Sequence, residues 1–189
     1  MRPMTHRQQS AAEFHKPDFR KPETRKPEAR KDEYYDTVQS LIGTLFPVFR
    51  SGALTAISFT RPSGIHMKKT RLSELVKKEL SEYFGKKRTE FSCPLAFESG
   101  TEFEQNVWNA LREVPYGETR TYKWIAEKVG RPQAFRAVGG ALGKNPIPII
   151  LPCHRIIESD GSLGGYSGGI DIKRRLLDLE YYVKFQDNS

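Results

Sequence analysis

Proline and glycine decide what the second half of this chain is able to fold into. Pro115-Tyr116-Gly117, Gly130, Pro132, Asn145-Pro146-Ile147-Pro148, Pro152 and the five glycines from Gly161 to Gly169 interrupt it at short intervals. Proline lacks the amide donor that a helix interior needs, and it pushes the residue before it to extended geometry. Short helices separated by tight turns are therefore predicted.

The pieces between the breaks carry clear signals. Thr101 with Glu104 three residues on is a capping box, opening a helix with Phe103, Val107, Ala110, Leu111 and Val114 on one face. Thr121 caps a short helix with Tyr122, Ile125, Ala126 and Val129 inward, stopped by Gly130. Pro132 stands at the first position of another helix, running from about Gln133 to Gly143. Two short helices joined by Val129-Gly130-Arg131-Pro132 predict a helix-turn-helix. On the last helix Ile172, Leu176, Leu179 and Val183 form an apolar stripe.

The first half alternates differently. Thr37–Phe49 and Ala53–Phe59 read as strands joined by the turn Arg50-Ser51-Gly52. Leu72, Leu75, Val76, Leu80, Tyr83 and Phe84 recur at helical spacing, and Gly85 ends that helix. An extended piece from Thr89 to Phe97 closes the sheet. The expected fold class is α/β (α+β). A small antiparallel sheet domain with one helix spans 32–97, and a mostly helical domain containing the helix-turn-helix spans 98–185. Residues 1–31 carry a Lys-Pro near-repeat at Lys16, Lys21 and Lys26, which forbids a regular helix and predicts a disordered basic tail.

Charge and cysteine usage narrow the function. Net charge is +8, of which residues 1–31 supply +5 from nine Lys/Arg against four Asp/Glu. A polyanionic partner is invited, and the tail is either a tether to phosphates or a solvating segment. The polar N-terminus has no apolar signal segment, which argues against secretion and for two free thiols, Cys93 and Cys153. No run of 18 apolar residues is available to span a membrane, and two cysteines rule out a four-cysteine zinc site.

The chemistry concentrates in Leu151-Pro152-Cys153-His154-Arg155-Ile156. Ile149-Ile150-Leu151 reads as a short buried strand presenting Cys153. A cysteine next to a histidine can be held as thiolate, the attacking form. Side chains alternate along an extended segment, so His154 is expected to act on the sulfur through a turn or a bridging water. Glu180, on the flank of the apolar stripe, is either its orienting carboxylate or a solvated edge residue. Asn145 donates to the site or opens the turn before Pro146. Tyr166 and Ser167 are the polar groups that a glycine-rich lid brings to a ligand. Cys93 reads as packing.

The helix after the turn has a second distinctive face. Ala134, Ala137, Val138, Ala141 and Leu142 fall on the core side, leaving Arg136, Gly139, Gly140 and Gly143 opposite. Bare backbone there permits either tight packing on another helix or close approach to a nucleic-acid backbone. The arginine favours the second.

Residues from about 98 to 183 resemble the C-terminal domain of the O6-alkylguanine-DNA alkyltransferases. The matches are Thr121-Tyr122, Arg136-Ala137-Val138-Gly139-Gly140, Asn145-Pro146, Pro152-Cys153-His154-Arg155, Tyr166-Ser167-Gly168-Gly169 and Glu180. Residues 34–97 resemble the family's variable, ribonuclease H-like N-terminal domain more loosely. The resemblance implies repair by direct reversal, with one irreversible transfer of an alkyl group from O6-methylguanine, and from O4-methylthymine, to Cys153. It implies His154 as base through water, Glu180 orienting it, and Asn145 bracing the turn. It also implies that Arg136 fills the gap left by the flipped nucleotide, that Tyr122 rotates or clamps the 3′ phosphate, and that Thr121, Gly139 and Gly140 lie against DNA. Tyr166 and Ser167 contact the guanine, and the carbonyls of Cys153 and Ile156 accept from its amino group. No metal or organic cofactor is implied. The implied partner is duplex DNA bound by a monomer, in the cytoplasm of a prokaryote or the nucleus of a eukaryote. Two rivals stay open: a cysteine hydrolase using Cys153, His154 and Glu180, and a non-catalytic DNA-binding module.

Overall fold

The computed structural model describes residues 32–186, and side chains as far as 181. The expectations for the 1–31 tail and for the Val183 side chain lie outside the described residues.

The N-terminal half is a five-stranded sheet built from β1 (Tyr34–Tyr35), β2 (Val38–Ser40), β3 (Gly43–Arg50), β4 (Ala53–Ser58) and β5 (His66–Met67). The expected turn at Arg50-Ser51-Gly52 is present, with Ser51 and Gly52 both at positive φ (48° and 78°). Both signs match the two-residue hairpin whose twist suits paired strands. Thr37–Phe49 is not one strand. It doubles back at Leu41-Ile42, so β2 and β3 pair antiparallel from Val38↔Leu45 to Ser40↔Gly43. The sheet is also mixed, because β5 runs parallel to β1. The expected last strand, Thr89–Phe97, shrinks to a single bridge between Leu95 and Leu54.

Helix α1 (Arg71–Phe84) packs on this sheet through Val76, Leu80 and Tyr83, all buried. Thr70 caps it, accepting from the Ser73 amide at 3.1 Å. Helix α2 (Glu102–Ala110) starts with the predicted capping box: Thr101 accepts from the Glu104 amide, and Glu104 accepts from the Thr101 amide. A 3₁₀ turn, Leu111–Glu113, continues it. Trp108 anchors it by donating its indole N–H to the Ala141 carbonyl at 2.8 Å.

Helix α3 (Tyr122–Lys128) is capped by Thr121, and helix α4 (Phe135–Gly143) crosses it. The start of α4 corrects the reading of Pro132. The Ala134 amide bonds the Arg131 carbonyl at 2.8 Å, so Pro132 occupies the second position of a reverse turn, which its fixed φ also suits. The helix begins three residues later. Val138, Ala141 and Leu142 are buried as expected, whereas Ala137 is exposed.

Two parallel β-residue pairs, β6 (Arg120–Thr121) and β7 (Ile156–Ile157), join the start of α3 to the segment just after Cys153. Helix α5 (Ile170–Gln186) closes the fold. One apolar cluster runs from Val38 through Trp108 to Leu179 without a break near residue 97. No helix of the described residues is long and apolar enough to cross a membrane.

Candidate active site

Cys153 does not end a strand. Ile149-Ile150 form a tight turn with Ile149 at φ 76°, an uncommon conformation for a β-branched residue, and Cys153–Arg155 is a 3₁₀ turn. The reason is local and polar. Pro146 and Pro148 have no amide to donate, and β4 reaches the loop only through the Ile57 amide on the Pro146 carbonyl at 2.8 Å, so the loop closes on the Asn145 side chain. Asn145 Oδ1 accepts from the Ile147 amide at 3.0 Å, and Nδ2 donates to the Leu151 carbonyl at 2.8 Å. The same Nδ2 reaches Cys153 Sγ at 3.1 Å. Asn145 therefore does both things foreseen for it: it opens the turn and contacts the thiol.

Cys153 is buried, and burial pushes its thiol up, opposed by the Asn145 amide and the Lys173 ammonium. At rest it is a thiol rather than a thiolate. His154 turns away from it to meet Glu180 Oε1 through Nε2 at 2.8 Å. Burial keeps the imidazole neutral, its pKa below the ordinary value, and Nδ1 has no hydrogen-bond partner among the described residues. A neutral ring donating from Nε2 leaves the Nδ1 lone pair as a base.

Glu180 is fully buried, which removes the solvated-edge alternative. Arg155 approaches with Nε at 2.8 Å and Nη2 at 3.0 Å, Tyr83 donates its hydroxyl at 2.7 Å, and the Gly117 amide donates at 3.2 Å. Burial alone would raise this carboxyl, but His154 and Arg155 outweigh it and hold Glu180 well below the usual range. Arg155 also donates to the Val114 carbonyl at 2.7 Å and lies 5.5 Å over the Tyr116 ring.

On its open side Cys153 faces a cleft of about 600 Å³ lined by Tyr122, Arg136, Gly139, Glu158, Tyr166 and Ser167, among others. Of the expected contacts, Ile156 is buried outside this lining, and Asn145, His154 and Glu180 lie behind the thiol. The Cys153 and Ile156 carbonyls each already accept one internal bond, from the Ile156 amide and Lys173 Nζ respectively. A carbonyl has a second lone pair, so neither is closed to a ligand. Thr121 spends its hydroxyl on capping α3, accepting from the Trp124 amide at 3.2 Å. Tyr166 Oη is shielded beside Cys153; burial, then the nearby Cys153, raises its pKa, so it stays a donor.

The glycine face is open. A Cβ on Gly140 or Gly143 would meet nothing within 4 Å, and on Gly139 it would make only ordinary contact with the Tyr122 ring at 3.8 Å. Packing on another helix does not account for these residues. Gly164 differs. At φ +64° it sits where a Cβ would come within 2.9 Å of both the Glu158 carboxylate and the Tyr122 hydroxyl, so any side chain there would strain the backbone and displace both groups.

Lys173 escaped the sequence reading. It is fully buried on α5 and donates to the carbonyls of Ile156 (2.5 Å), Leu163 and Gly165 (3.5 Å). One ammonium thus ties the glycine-rich loop to β7. Its signal was spacing: Lys173, Leu176 and Glu180 fall on one helical face with the apolar stripe. Tyr83 carried no such signal, since it reaches Glu180 from 97 residues away. Cys93 is buried in the core, its thiol pushed up to about 12 by burial and Glu79, as a packing residue should be. No group of three or more His, Cys, Asp or Glu among the described residues is placed to hold a metal ion.

Residues 102–182 match the family model described as the 6-O-methylguanine DNA methyltransferase DNA-binding domain. A methylated-DNA–protein-cysteine methyltransferase of Methanosarcina barkeri is 46% identical over 154 residues, covering 78% of this chain and 96% of the relative. The crystal structure of Mycobacterium tuberculosis O6-methylguanine methyltransferase superposes with a TM-score of 0.73 at 41% identity, covering 79% of this chain and 93% of that one. A structure of the M. tuberculosis protein in complex with DNA gives the same TM-score at 42% identity, over 79% of this chain and 94% of that one.

Proposed function

This chain belongs to the methylated-DNA–protein-cysteine methyltransferase family, and on that footing we propose that Cys153 is the residue that takes the alkyl group from O6-methylguanine in DNA. The observation that carries this reading is the position of Cys153, a buried thiol at the inner wall of a cleft whose outer rim is Arg136 and a bare glycine helix.

The chemistry follows from the neighbours. The thiol proton passes to His154 Nδ1 through a water, while Glu180, its own charge balanced by Arg155, steadies the imidazolium that forms. The sulfur attacks the alkyl carbon as the C–O6 bond breaks, and the bonding pair leaves on O6. Tyr166 and Ser167 contact the base, and a proton returned to the guanine restores its ordinary lactam form. The thioether is stable, so each molecule acts once. His154 serves the thiol at a distance, which suits a single proton transfer better than the repeated cycles of a hydrolase. Retention of the thiol disfavours a purely DNA-binding role.

DNA is bound by the second half, residues 98–185, with α3 and α4 as a helix-turn-helix. Helix α4 has no side-chain cap, so no capping side chain occupies its first amides next to Arg136, an arrangement suited to phosphate. The face has no side chains that read base edges, so contacts fall on backbone and groove shape. The target nucleotide is flipped into the cleft, because the O6 carbon is out of reach inside a stack. The protein acts as a monomer on the genome, in the cytoplasm of a prokaryote or the nucleus of a eukaryote.

Arg136→Ala tests the flipping step. Extruding a base costs a few kcal/mol, and Arg136 offsets part of it by filling the vacancy. Single-turnover repair of duplex O6-methylguanine is expected to slow about tenfold or more, equivalent to about 1.4 kcal/mol. Reaction with free O6-benzylguanine, which has no stack to leave, is expected to fall far less. Equal losses on both substrates would assign Arg136 to the fold or the pocket.

A further inference from the structure

Phe135 opens α4 directly before Arg136 and is 46% exposed. It is absent from the partly buried residues packed against the core, and none of the ring contacts among the described residues involves it. Stability of the fold therefore does not explain the ring. Its position is specific: Phe135 lines the same cleft as Cys153. Residues four, seven and eight positions on, Gly139, Leu142 and Gly143, share its face of the helix and line that cleft too. Gly139 and Gly143 add no side chain of their own beyond the ring, and a Cβ on Gly143 would meet nothing within 4 Å.

We propose that Phe135 is a second wedge, which enters the base stack beside Arg136 and stacks on a base flanking the flipped nucleotide. This rests on the DNA reading above and adds a residue to it. The two neighbours divide the task by chemistry. A guanidinium has donors for the polar edges that an extruded base leaves behind, whereas a phenyl ring covers an exposed base face and keeps water from it. Apolar side chains used in this way unstack a step and hold it open. The adjacent cation, the uncapped helix end and the bare glycine face favour a nucleic-acid occupant for the ring over an apolar protein surface.

The full chain is compared with Phe135→Ala, Phe135→Leu and Arg136→Ala on duplex O6-methylguanine DNA and on free O6-benzylguanine. Phe135→Ala is expected to slow duplex repair about fivefold more than the free-base reaction, and Phe135→Leu to recover most of that difference. A second readout uses the Cys153→Ser protein bound to a duplex carrying 2-aminopurine next to the lesion. Its fluorescence rise on binding is expected to drop when Phe135→Ala is added and to persist with Phe135→Leu. Equal losses on both substrates would make Phe135 a wall of the alkyl pocket and overturn the proposal. So would unchanged duplex repair by Phe135→Ala alongside a normal Arg136→Ala defect. If Arg136→Ala also repairs duplex DNA at the parent rate, the flipping reading itself fails.

Discussion

Cys153→Ser is expected to abolish alkyl transfer while leaving affinity for duplex DNA within a few-fold of the parent. A serine hydroxyl ionises far above a thiol, and the Cys153 environment already resists ionisation through burial. The supports available to the anion, the Asn145 amide at 3.1 Å and the nearby Lys173, cannot bridge that gap for an alkoxide. The groups proposed to meet DNA, Arg136 and the α4 glycines, do not depend on the sulfur. Transfer rates and binding isotherms on the same duplex check both halves. A residual rate above about a tenth of the parent, a difference of only about 1.4 kcal/mol, would remove Cys153 from the role of nucleophile.

Glu180→Gln is expected to damage stability and transfer together. The carboxylate is the shared counter-charge for Arg155 and the acceptor for His154, Tyr83 and Gly117, all within 3.2 Å. Removing one partner of a buried ion pair costs about 3–5 kcal/mol, because the other charge stays behind unpaired. For a chain of this size that is a fall of roughly 10 °C in melting temperature. The pH dependence has a definite sign. His154 is held neutral by burial, so below its unfolded value of about 6.5 the unfolded chain takes up a proton that the fold refuses, and stability falls. Glu180, held low by its partners, contributes stability above the unfolded carboxyl value of about 4.3 and loses it as pH falls toward the folded value. Melting temperature should therefore decline in two stages on acidification in the parent, and the second stage should shrink in Glu180→Gln. A glutamine variant with the parent's melting temperature would show that the buried pair is not what holds α1, α5 and the Cys153 turn together.

What could be read from the sequence was local. The Thr101–Glu104 capping box, the Arg50-Ser51-Gly52 turn and the face of α1 each depend on residues within one or two turns of one another, and all are present. The fold class followed from them. The apolar stripe left Glu180 open between a partnered acid and a solvated edge, and only the family resemblance pointed to the first; burial settles that it is partnered. Misreadings arose where distant or side-chain hydrogen bonds decide. Apolar Ile149-Ile150-Leu151 looks like a strand, but the Asn145 amide supplies the bonds a neighbouring strand would have supplied, and the chain turns instead. Pro132 suits a helix start and a reverse turn equally, and the Arg131 carbonyl selects the turn. Tyr83 and the β6–β7 pair reach the site across 97 and 36 residues, and no local pattern marks contacts of that kind; for Lys173, helical spacing marks the face but not the carbonyls it ties together.

The central claim is that one alkyl group moves once, onto one sulfur. Intact-mass and peptide mass spectrometry after incubation with an excess of O6-methylguanine duplex tests it directly. The expected result is a single methyl addition per protein molecule, located on Cys153, with no further repair once the protein is consumed. Repeated turnover, or a methyl group found on Cys93 or any other residue, would contradict it.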